Sequence, residues 1–207
     1  METEVDGMFA EAEPFFPYAD TTNLPREVSA QLTAYEARMG FLPNALKLYA
    51  HRPHILRQII RLNNTVMRHG SNDLSEEFKY RMSFIISRNH GCRYCSAHHA
   101  NTMRKKFGYG DGELTAILQL RNPANERERA AWAFVDAASR GPEHTTDAIR
   151  DELAKRFTPA EIVEIAATLG FWAFYNRIHS NLDVPIEQHL LHESHWVDMT
   201  KDGSAEA

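Results

Sequence analysis

The two cysteines of this chain lie three residues apart in the segment GCRYCSAHH, residues 91–99. Such a Cys-x-x-Cys pair can form a redox-active disulfide, bind a metal ion or simply pack in a core. His99 follows Cys95 by four residues, and on a helix this spacing places both side chains on one face. Because helical side chains lean toward the N-terminus, we expect the His99 imidazole to reach back over Cys95.

The residues before Cys92 indicate why the pair would be reactive. The stretch Asn89-His90-Gly91 predicts a break between two helices, which places both cysteines in the first turn of the second helix. Unpaired amides and the positive end of the helix dipole favour a thiolate at that position. We therefore predict that Cys95 is the attacking thiol, because His99 is expected to lie over it. Cys92 is then the resolving thiol, which forms a disulfide with oxidised Cys95.

A metal site and plain packing are the alternatives for this pair. Structural zinc usually takes a second pair of ligands from a separate knuckle, and the sequence has no third cysteine. His98 and His99 complete a tetrahedral set only with difficulty, since neighbouring helical residues point about 100° apart. A redox dithiol is the favoured interpretation, and neither a metal nor another cofactor is expected.

Apolar residues at helical spacing run through nearly the whole chain, and no useful alternating strand pattern occurs. Helices are predicted over residues 26–39, 42–52, 53–69, 75–89, 92–107, 111–120, 125–140, 145–156 and 159–179. The last begins with TPAE, residues 158–161, which combines a Thr cap, a first-position Pro and a third-position Glu. We predict an all-α, compact bundle of about eight to ten helices. It forms a single domain over residues 21–197, with mobile segments at 1–20 and 198–207.

The composition excludes several classes of partner. The net charge of −5 gives no basic surface for nucleic acid or an anionic membrane. No run approaches the ~18 apolar residues of a membrane helix. The first twenty residues carry no Lys or Arg, unlike a secretory signal. A cytoplasmic location is expected, where a Cys-x-x-Cys pair more often serves redox or metal chemistry than structure.

The segment RMSFIISRNHGCRYCSAHHANTMRKKFG, residues 81–108, resembles the signature of the carboxymuconolactone decarboxylase and alkylhydroperoxidase-D-like superfamily. Its members carry a helix, a break at small residues, Cys-x-x-Cys, and a histidine four residues after the second cysteine. FLPNALKLYAHRPHIL upstream, and FTPAEIVEIAATLGFWAFYNR with NRIHSNLDVPIE downstream, resemble the flanking segments. The likeness covers about residues 38–190 and is closest to the peroxidase-related subgroup.

This resemblance implies an all-α protein that forms homo-oligomers and reduces hydroperoxides as an antioxidant, without flavin, haem or metal. By motif position, Cys95 is the peroxidatic thiol, Cys92 the resolving thiol, and His99 part of a proton relay. A dithiol protein, for example one that bears lipoyl groups, would re-reduce the pair.

The chain departs from the family pattern at Tyr80, where relatives usually have the glutamate that ends the relay. A phenol with an ordinary pKa near 10 is a poor base at neutral pH. Glu76 and Glu77 lie one turn away and could substitute, although acidic residues in a first helical turn have a simpler structural explanation.

Several further residues lie near the predicted site in the sequence. Tyr80, His90 and Tyr94 are candidate site-lining residues. His98 is expected to face away from Cys95, and His179 to complement a helix C-terminus as a cation.

Two other functions remain open from sequence. One is a cofactor-free lyase of the carboxymuconolactone decarboxylase type, although that chemistry does not require two thiols. The other is a metal- or redox-sensing helical module without catalytic activity.

Overall fold

A computed structural model describes residues 13–198 of the chain. Within these residues the structure contains α-helices and two 3-10 segments and no β-strand, which confirms the all-α prediction. The α-helices are α1 Arg26–Met39, α2 Asn44–Tyr49, α3 Pro53–Arg68, α4 Glu76–Asn89, α5 Arg93–Phe107, α6 Asp111–Leu118, α7 Glu126–Arg140, α8 Asp147–Arg156 and α9 Pro159–Asn181. The 3-10 segments are Pro142–His144 and Gln188–Asp198.

The helix ends follow the signals in the sequence. The Ser75 hydroxyl accepts a hydrogen bond from the Phe78 N–H at the start of α4. Thr158 and Glu161 form a reciprocal capping box at the start of α9. Gly108 ends α5 in the left-handed region, with φ +79°, where glycine carries no steric penalty.

Helix α4 lies at the centre of the bundle and packs against α5, α7 and α9. Its side chains Met82, Phe84 and Ile86 are fully buried in one continuous apolar cluster. The segment that precedes the cysteines is therefore fixed on several sides. No helix in the described part of the chain is both long and apolar enough to cross a membrane.

The 3-10 segment Gln188–Asp198 was not predicted as an element. It packs along α5, where Arg104 forms an ion pair with Glu193. Trp196 is buried against Phe84 and donates its indole N–H to Glu193. The segment therefore covers the helix that begins at the cysteine pair.

The segments predicted to be mobile lie mostly outside the described residues, namely 1–12 and 199–207, so their mobility stays a prediction. In the described part of the N-terminal segment, Phe16 and Tyr18 pack against the core. The His51 ring lies beside Phe16, and its Nε2 is 2.8 Å from the Pro17 carbonyl oxygen.

Candidate functional site

The start of α5 brings the two cysteines together. Gly91 has φ +67°, so the chain can turn sharply out of α4 without a Cβ penalty. Cys92 is the N-cap residue of α5, and its sulfur accepts a hydrogen bond from the Cys95 N–H at 3.2 Å. The two cysteines form a disulfide with a Cα–Cα distance of 5.3 Å. Both are buried, and Cys95 faces an internal cavity.

The imidazole that contacts Cys95 belongs to His179, not to the predicted His99. His179 Nδ1 lies 3.1 Å from the Cys95 sulfur. Burial, together with the charge of His98, lowers the pKa of His179 to about 3. The prediction of a helix-end cation at this position is therefore wrong, because the C-terminal part of α9 is packed inside the bundle. This value belongs to the ring beside the disulfide; in the reduced protein a Cys95 thiolate would stabilise the protonated imidazole, so His179 is placed to take the thiol proton.

His99 lines the same cavity but is hydrogen-bonded away from the sulfur. Its Nε2 lies 3.1 Å from the Ser87 hydroxyl, which donates to Asn176 Oδ1 at 3.0 Å. Because this hydroxyl donates to the amide, it accepts from His99, which places the His99 proton on Nε2. Burial, followed by the charges of His98 and His179, lowers the pKa of His99 to about 3.

His90 does not line the cavity at Cys95. It is the C-cap residue of α4 and borders a different surface cleft with Arg140 and Arg177. Its Nδ1 lies 3.1 Å from the Asn176 side-chain nitrogen, so it joins the outer end of the network that holds His99. The expectation that His90 lines the pocket is corrected to this indirect position.

A buried carboxylate that the sequence analysis did not single out lies beside the cavity. Glu187 Oε2 is 2.7 Å from His98 Nε2, and Glu187 Oε1 accepts from the Tyr94 hydroxyl at 3.1 Å and the Asn44 N–H at 2.7 Å. Burial alone would raise the pKa of Glu187, but the charge and hydrogen bond of His98, together with backbone hydrogen bonds such as that from Asn44, lower it to about 2. His98 and Tyr94 both line the cavity, so His98 does not face away as expected.

Tyr80 lines the cavity as predicted, with its ring edge toward His99 at 5.7 Å between centroids. Its hydroxyl accepts a hydrogen bond from Arg68 at 2.7 Å. Burial raises the pKa of Tyr80 to about 12, despite the nearby Arg68 charge, so Tyr80 cannot act as a base.

The two acidic residues considered as substitutes for the missing glutamate take structural positions instead. Glu76 pairs with Arg68, and Glu77 pairs with Arg81 at the start of α4. Neither borders the cavity at Cys95, so Glu187 is the carboxylate attached to this site.

Two openings flank the disulfide. The internal one, here called the Cys95 cavity, has a volume of about 50 Å³ and a largely aromatic wall. That wall includes Tyr80, Tyr94, Trp172 and Tyr175. The outer one, here called the Cys92 cleft, has a volume of about 360 Å³ and is bordered by Cys92, Arg93, Val184, Pro185 and Ile186. Each sulfur therefore borders its own opening.

Cys92, Cys95 and His179 also form a donor set suited to a soft metal ion, with their ligand atoms within 4.8 Å of one another. A metal binds thiolates, so the set requires the reduced pair. In the disulfide, neither sulfur carries the negative charge that a metal–thiolate bond needs.

His179 and Glu187 are the two site residues that sequence reasoning missed. Both lie in the stretch NRIHSNLDVPIE, residues 176–187, whose sequence predicts a helix-end cation at His179 and no role for Glu187. They are more than eighty residues from Cys95, so no local spacing indicates that they lie beside it.

Comparison with known proteins gives limited sequence similarity. No protein-family model matches the chain. The uncharacterized protein YnjA of Escherichia coli K12 is 27% identical over 97 residues, which are 46% of this chain and 53% of that protein. The chain thus matches about half the length of this curated relative.

Comparison of structures covers far more of the chain. The crystal structure of the debrominase Bmp8 has a TM-score of 0.74 at 25% identity, over 87% of this chain and 96% of that one. A cysteine-to-alanine variant of Bmp8 in complex with 2,3,4-tribromopyrrole has a TM-score of 0.71 at 24% identity, over 87% of this chain and 100% of that one.

A peroxidase-related protein from Ralstonia eutropha JMP134, described as an alkylhydroperoxidase AhpD core, has a TM-score of 0.78 at 19% identity. The match covers 89% of this chain and 98% of that one. The chain therefore has the all-helical fold of these structures, as its resemblance to the alkylhydroperoxidase-D-like superfamily implies.

Proposed function

We propose that this protein is a thiol-dependent peroxidase that reduces hydroperoxides through Cys92 and Cys95. The observation that carries the proposal is the Cys92–Cys95 disulfide at the start of α5, with the His179 imidazole 3.1 Å from the Cys95 sulfur at an internal cavity. A bonded pair of this kind is the oxidised form of a dithiol that has two electrons to give.

The reduced protein would react in three balanced steps. The Cys95 thiol transfers its proton to His179, and the thiolate attacks the outer oxygen of the hydroperoxide. The O–O bond breaks, the alcohol leaves with one proton, and Cys95 becomes a sulfenic acid. The Cys92 thiol then displaces water from that sulfur and forms the disulfide. An external dithiol reduces the disulfide and is itself oxidised.

The leaving alcohol takes the proton that His179 accepted from Cys95, and the His98–Glu187 pair supports the proposal as a fixed polar group beside the cavity. Since Glu187 is ionised, its 2.7 Å contact requires a hydrogen on His98 Nε2. The carboxylate fixes and polarises the imidazole, as in other acid–base pairs. His99, oriented by Ser87, completes the polar side of the cavity and retains a supporting place in the relay.

The Cys92 cleft supports an approach route for the reductant that is separate from the Cys95 cavity. Its position favours attack by a dithiol at Cys92, which releases Cys95 as the leaving thiolate beside His179. A protein-borne lipoyl group is a slender dithiol of the kind expected here. The cycle requires a reducing compartment, which agrees with the expected cytoplasmic location.

The proposal is tested by hydroperoxide consumption with a dithiol reductant for the wild type, Cys95→Ser and Cys92→Ser. We expect Cys95→Ser to be inactive. With the dithiol left out, pre-reduced Cys92→Ser should consume one equivalent of hydroperoxide and stop at a sulfenic acid, detectable by dimedone labelling. Equal consumption by all three proteins contradicts the proposal, and turnover of a lactone by the cysteine variants would favour the lyase alternative.

Reductive dehalogenation is a second candidate because of the structural similarity to the debrominase Bmp8. Two thiols could reduce a carbon–bromine bond to carbon–hydrogen, with release of bromide and a proton and formation of the disulfide. The cavity size favours the peroxidase, since an apolar cavity known to bind benzene measures about 150 Å³ whereas the Cys95 cavity has about 50 Å³. Incubation of the reduced protein with a brominated pyrrole separates the two functions. Release of bromide supports dehalogenation, and its absence from protein that consumes hydroperoxide supports the peroxidase.

We extend the proposal to a homo-oligomer held through α9. Two large apolar side chains of this helix are exposed, Val163 by 66% and Phe174 by 47%. Ala166, Ala167 and Gly170 are exposed between them at helical spacing, which gives one continuous apolar stripe. Small residues in such a stripe let a second helix approach closely.

A further inference from the structure

The small volume of the Cys95 cavity decides where an organic substrate must lie. A cavity of about 50 Å³ holds a hydroperoxide group or one to two waters, because one water occupies about 30 Å³ in the liquid. The rest of an organic hydroperoxide must therefore extend beyond this cavity. The pocket next to the Cys95 cavity therefore determines which organic hydroperoxides can bind.

A second pocket of about 330 Å³ adjoins the Cys95 cavity. We call it the basic vestibule and define it by Arg38, Arg68, Lys105 and Lys106. Met39, Tyr80 and Thr102 border both the vestibule and the Cys95 cavity, so the two spaces are neighbours across one wall.

The vestibule has an excess of positive charge. Its four cations face one carboxylate, that of Glu76. Glu76 pairs with Arg68 and Lys106, which leaves Arg38 and Lys105 without a carboxylate partner among residues 13–198. Both are exposed, and the Arg38 guanidinium is stacked over the Tyr35 ring at 4.1 Å. Tyr35 itself lines the Cys95 cavity, so Arg38 is held at its border.

Helix α5 sets the distance between the two spaces. Cys95, Thr102 and Lys105 follow one another at helical spacing along one side of α5. At 1.5 Å per residue, Thr102 lies about 10 Å and Lys105 about 15 Å from Cys95 along the helix axis. Met39, which borders both spaces, and Leu46, which borders the Cys95 cavity, are apolar.

We propose that the basic vestibule binds the carboxylate of an organic acid hydroperoxide, whose apolar chain spans the 10–15 Å to Cys95. The inference rests on the proposed peroxidase function and names its substrate class. Long-chain fatty acid hydroperoxides fit the requirement, since they carry an anion and a hydroperoxide separated by an apolar chain.

The charge requirement is tested first by binding, without turnover. Linoleate and its methyl ester are titrated against the protein, and tryptophan fluorescence, to which Trp172 in the cavity wall contributes, reports binding. We expect linoleate to bind about tenfold more tightly than the ester, and this preference to shrink at high salt. The double variant Arg38→Gln/Lys105→Gln should lose the preference. Equal affinity of the wild type for acid and ester overturns the inference.

A matched control removes the same charge elsewhere. Arg129 on α7 and Lys155 on α8 are exposed and lie outside both pockets, so Arg129→Gln/Lys155→Gln should keep the preference for the acid. If the control loses the preference to the same extent, net charge rather than the vestibule is responsible and the inference fails.

Turnover then separates this inference from the proposed function. With linoleic acid hydroperoxide and its methyl ester, the wild type should show a kcat/KM about tenfold higher for the acid. Equal kcat/KM values for acid and ester contradict carboxylate binding in the vestibule but leave the proposed peroxidase activity intact. Preferred linoleate binding without consumption of either hydroperoxide supports the vestibule and refutes the peroxidase.

Discussion

At the level of single residues, the site depends on three imidazoles that differ in their partners. His179 contacts the Cys95 sulfur, His99 is held by Ser87, and His98 is held by Glu187. The sequence indicated His99 because it is close to Cys95 along α5. Only the packing of α9 against α4 and α5 brings His179 closer, and no spacing rule contains that information.

The contact between His179 and Cys95 predicts how fast the thiol reacts. In a Cys92→Ser background, which leaves one cysteine, His179→Gln should slow alkylation of Cys95 on the order of 100-fold at neutral pH. The reason is that the imidazole accepts the thiol proton. The rate of iodoacetamide modification, followed by mass spectrometry, measures the effect.

The control for this prediction is His54→Gln, because His54 is an exposed histidine on α3. It should react at the parent rate. A large loss for His99→Gln combined with a normal rate for His179→Gln would restore the assignment made from sequence spacing.

The same buried histidines predict how stability depends on pH. The pKa values of His99 and His179 are lowered from 6.5 to about 3 in the folded protein, chiefly by burial. Between these values the unfolded chain binds protons that the folded protein excludes, so acid favours unfolding. For each such histidine, the free energy of unfolding falls by about 1.4 kcal/mol for every unit that the pH falls between pH 6.5 and pH 3. The oxidised protein should therefore lose stability from pH 7 to pH 5.

Urea denaturation at pH 7 and pH 5 measures this loss. His179→Gln removes one of the histidines with a lowered pKa, so the difference between the two pH values should shrink. Glu187 does not contribute in this range, since its pKa falls below its ordinary 4.5. An unchanged pH difference in His179→Gln, or an equal reduction in His54→Gln, contradicts the explanation.

At the level of the elements, the helices were predictable where caps mark their ends. The predicted ends of α1 agree with the structure, and Ser75 and Thr158 cap α4 and α9 as their sequences indicated. The 3-10 segment Gln188–Asp198 was missed because it lacks a helical repeat and is held by tertiary contacts with α5. Glu187, just before it, was missed for the same reason. Local signals define elements, whereas this site forms between distant ones.

The turn between α4 and α5 predicts that a side chain at Gly91 destabilises the protein through backbone strain and not through a steric clash. Gly91 has φ +67°, and a Cβ at this position meets no atom within 4 Å. Gly91→Ala should therefore lower the free energy of unfolding by about 1–2 kcal/mol through backbone strain alone. Chemical denaturation measures this change.

Gly112→Ala in α6 is the matched control. Its Cβ also meets no atom within 4 Å, and its φ lies outside the left-handed region. Because alanine favours helix, this variant should be neutral or stabilised by up to about 1 kcal/mol. Equal effects of the two substitutions would show that the turn at Gly91 does not need the left-handed conformation.

At the level of the whole molecule, the disulfide lies between an internal cavity and an outer cleft. The basic vestibule adjoins the Cys95 cavity, and the Cys92 cleft borders the other cysteine. Substrate and reductant can therefore approach different sulfurs without competing. The exposed stripe of α9 lies apart from these openings, since neither Val163 nor Phe174 borders them.

This separation predicts that substitutions in the α9 stripe disrupt the homo-oligomer and leave the disulfide site intact. Val163→Glu/Phe174→Glu places two charges in the apolar stripe, and their desolvation in a close helix pair is unfavourable. Size-exclusion chromatography with light scattering should show an oligomer for the wild type and a monomer for the variant. Phe15→Glu, which changes another exposed apolar residue outside α9, should leave the oligomer intact. A monomeric wild type, or an oligomeric double variant, would show that α9 does not join copies of this chain.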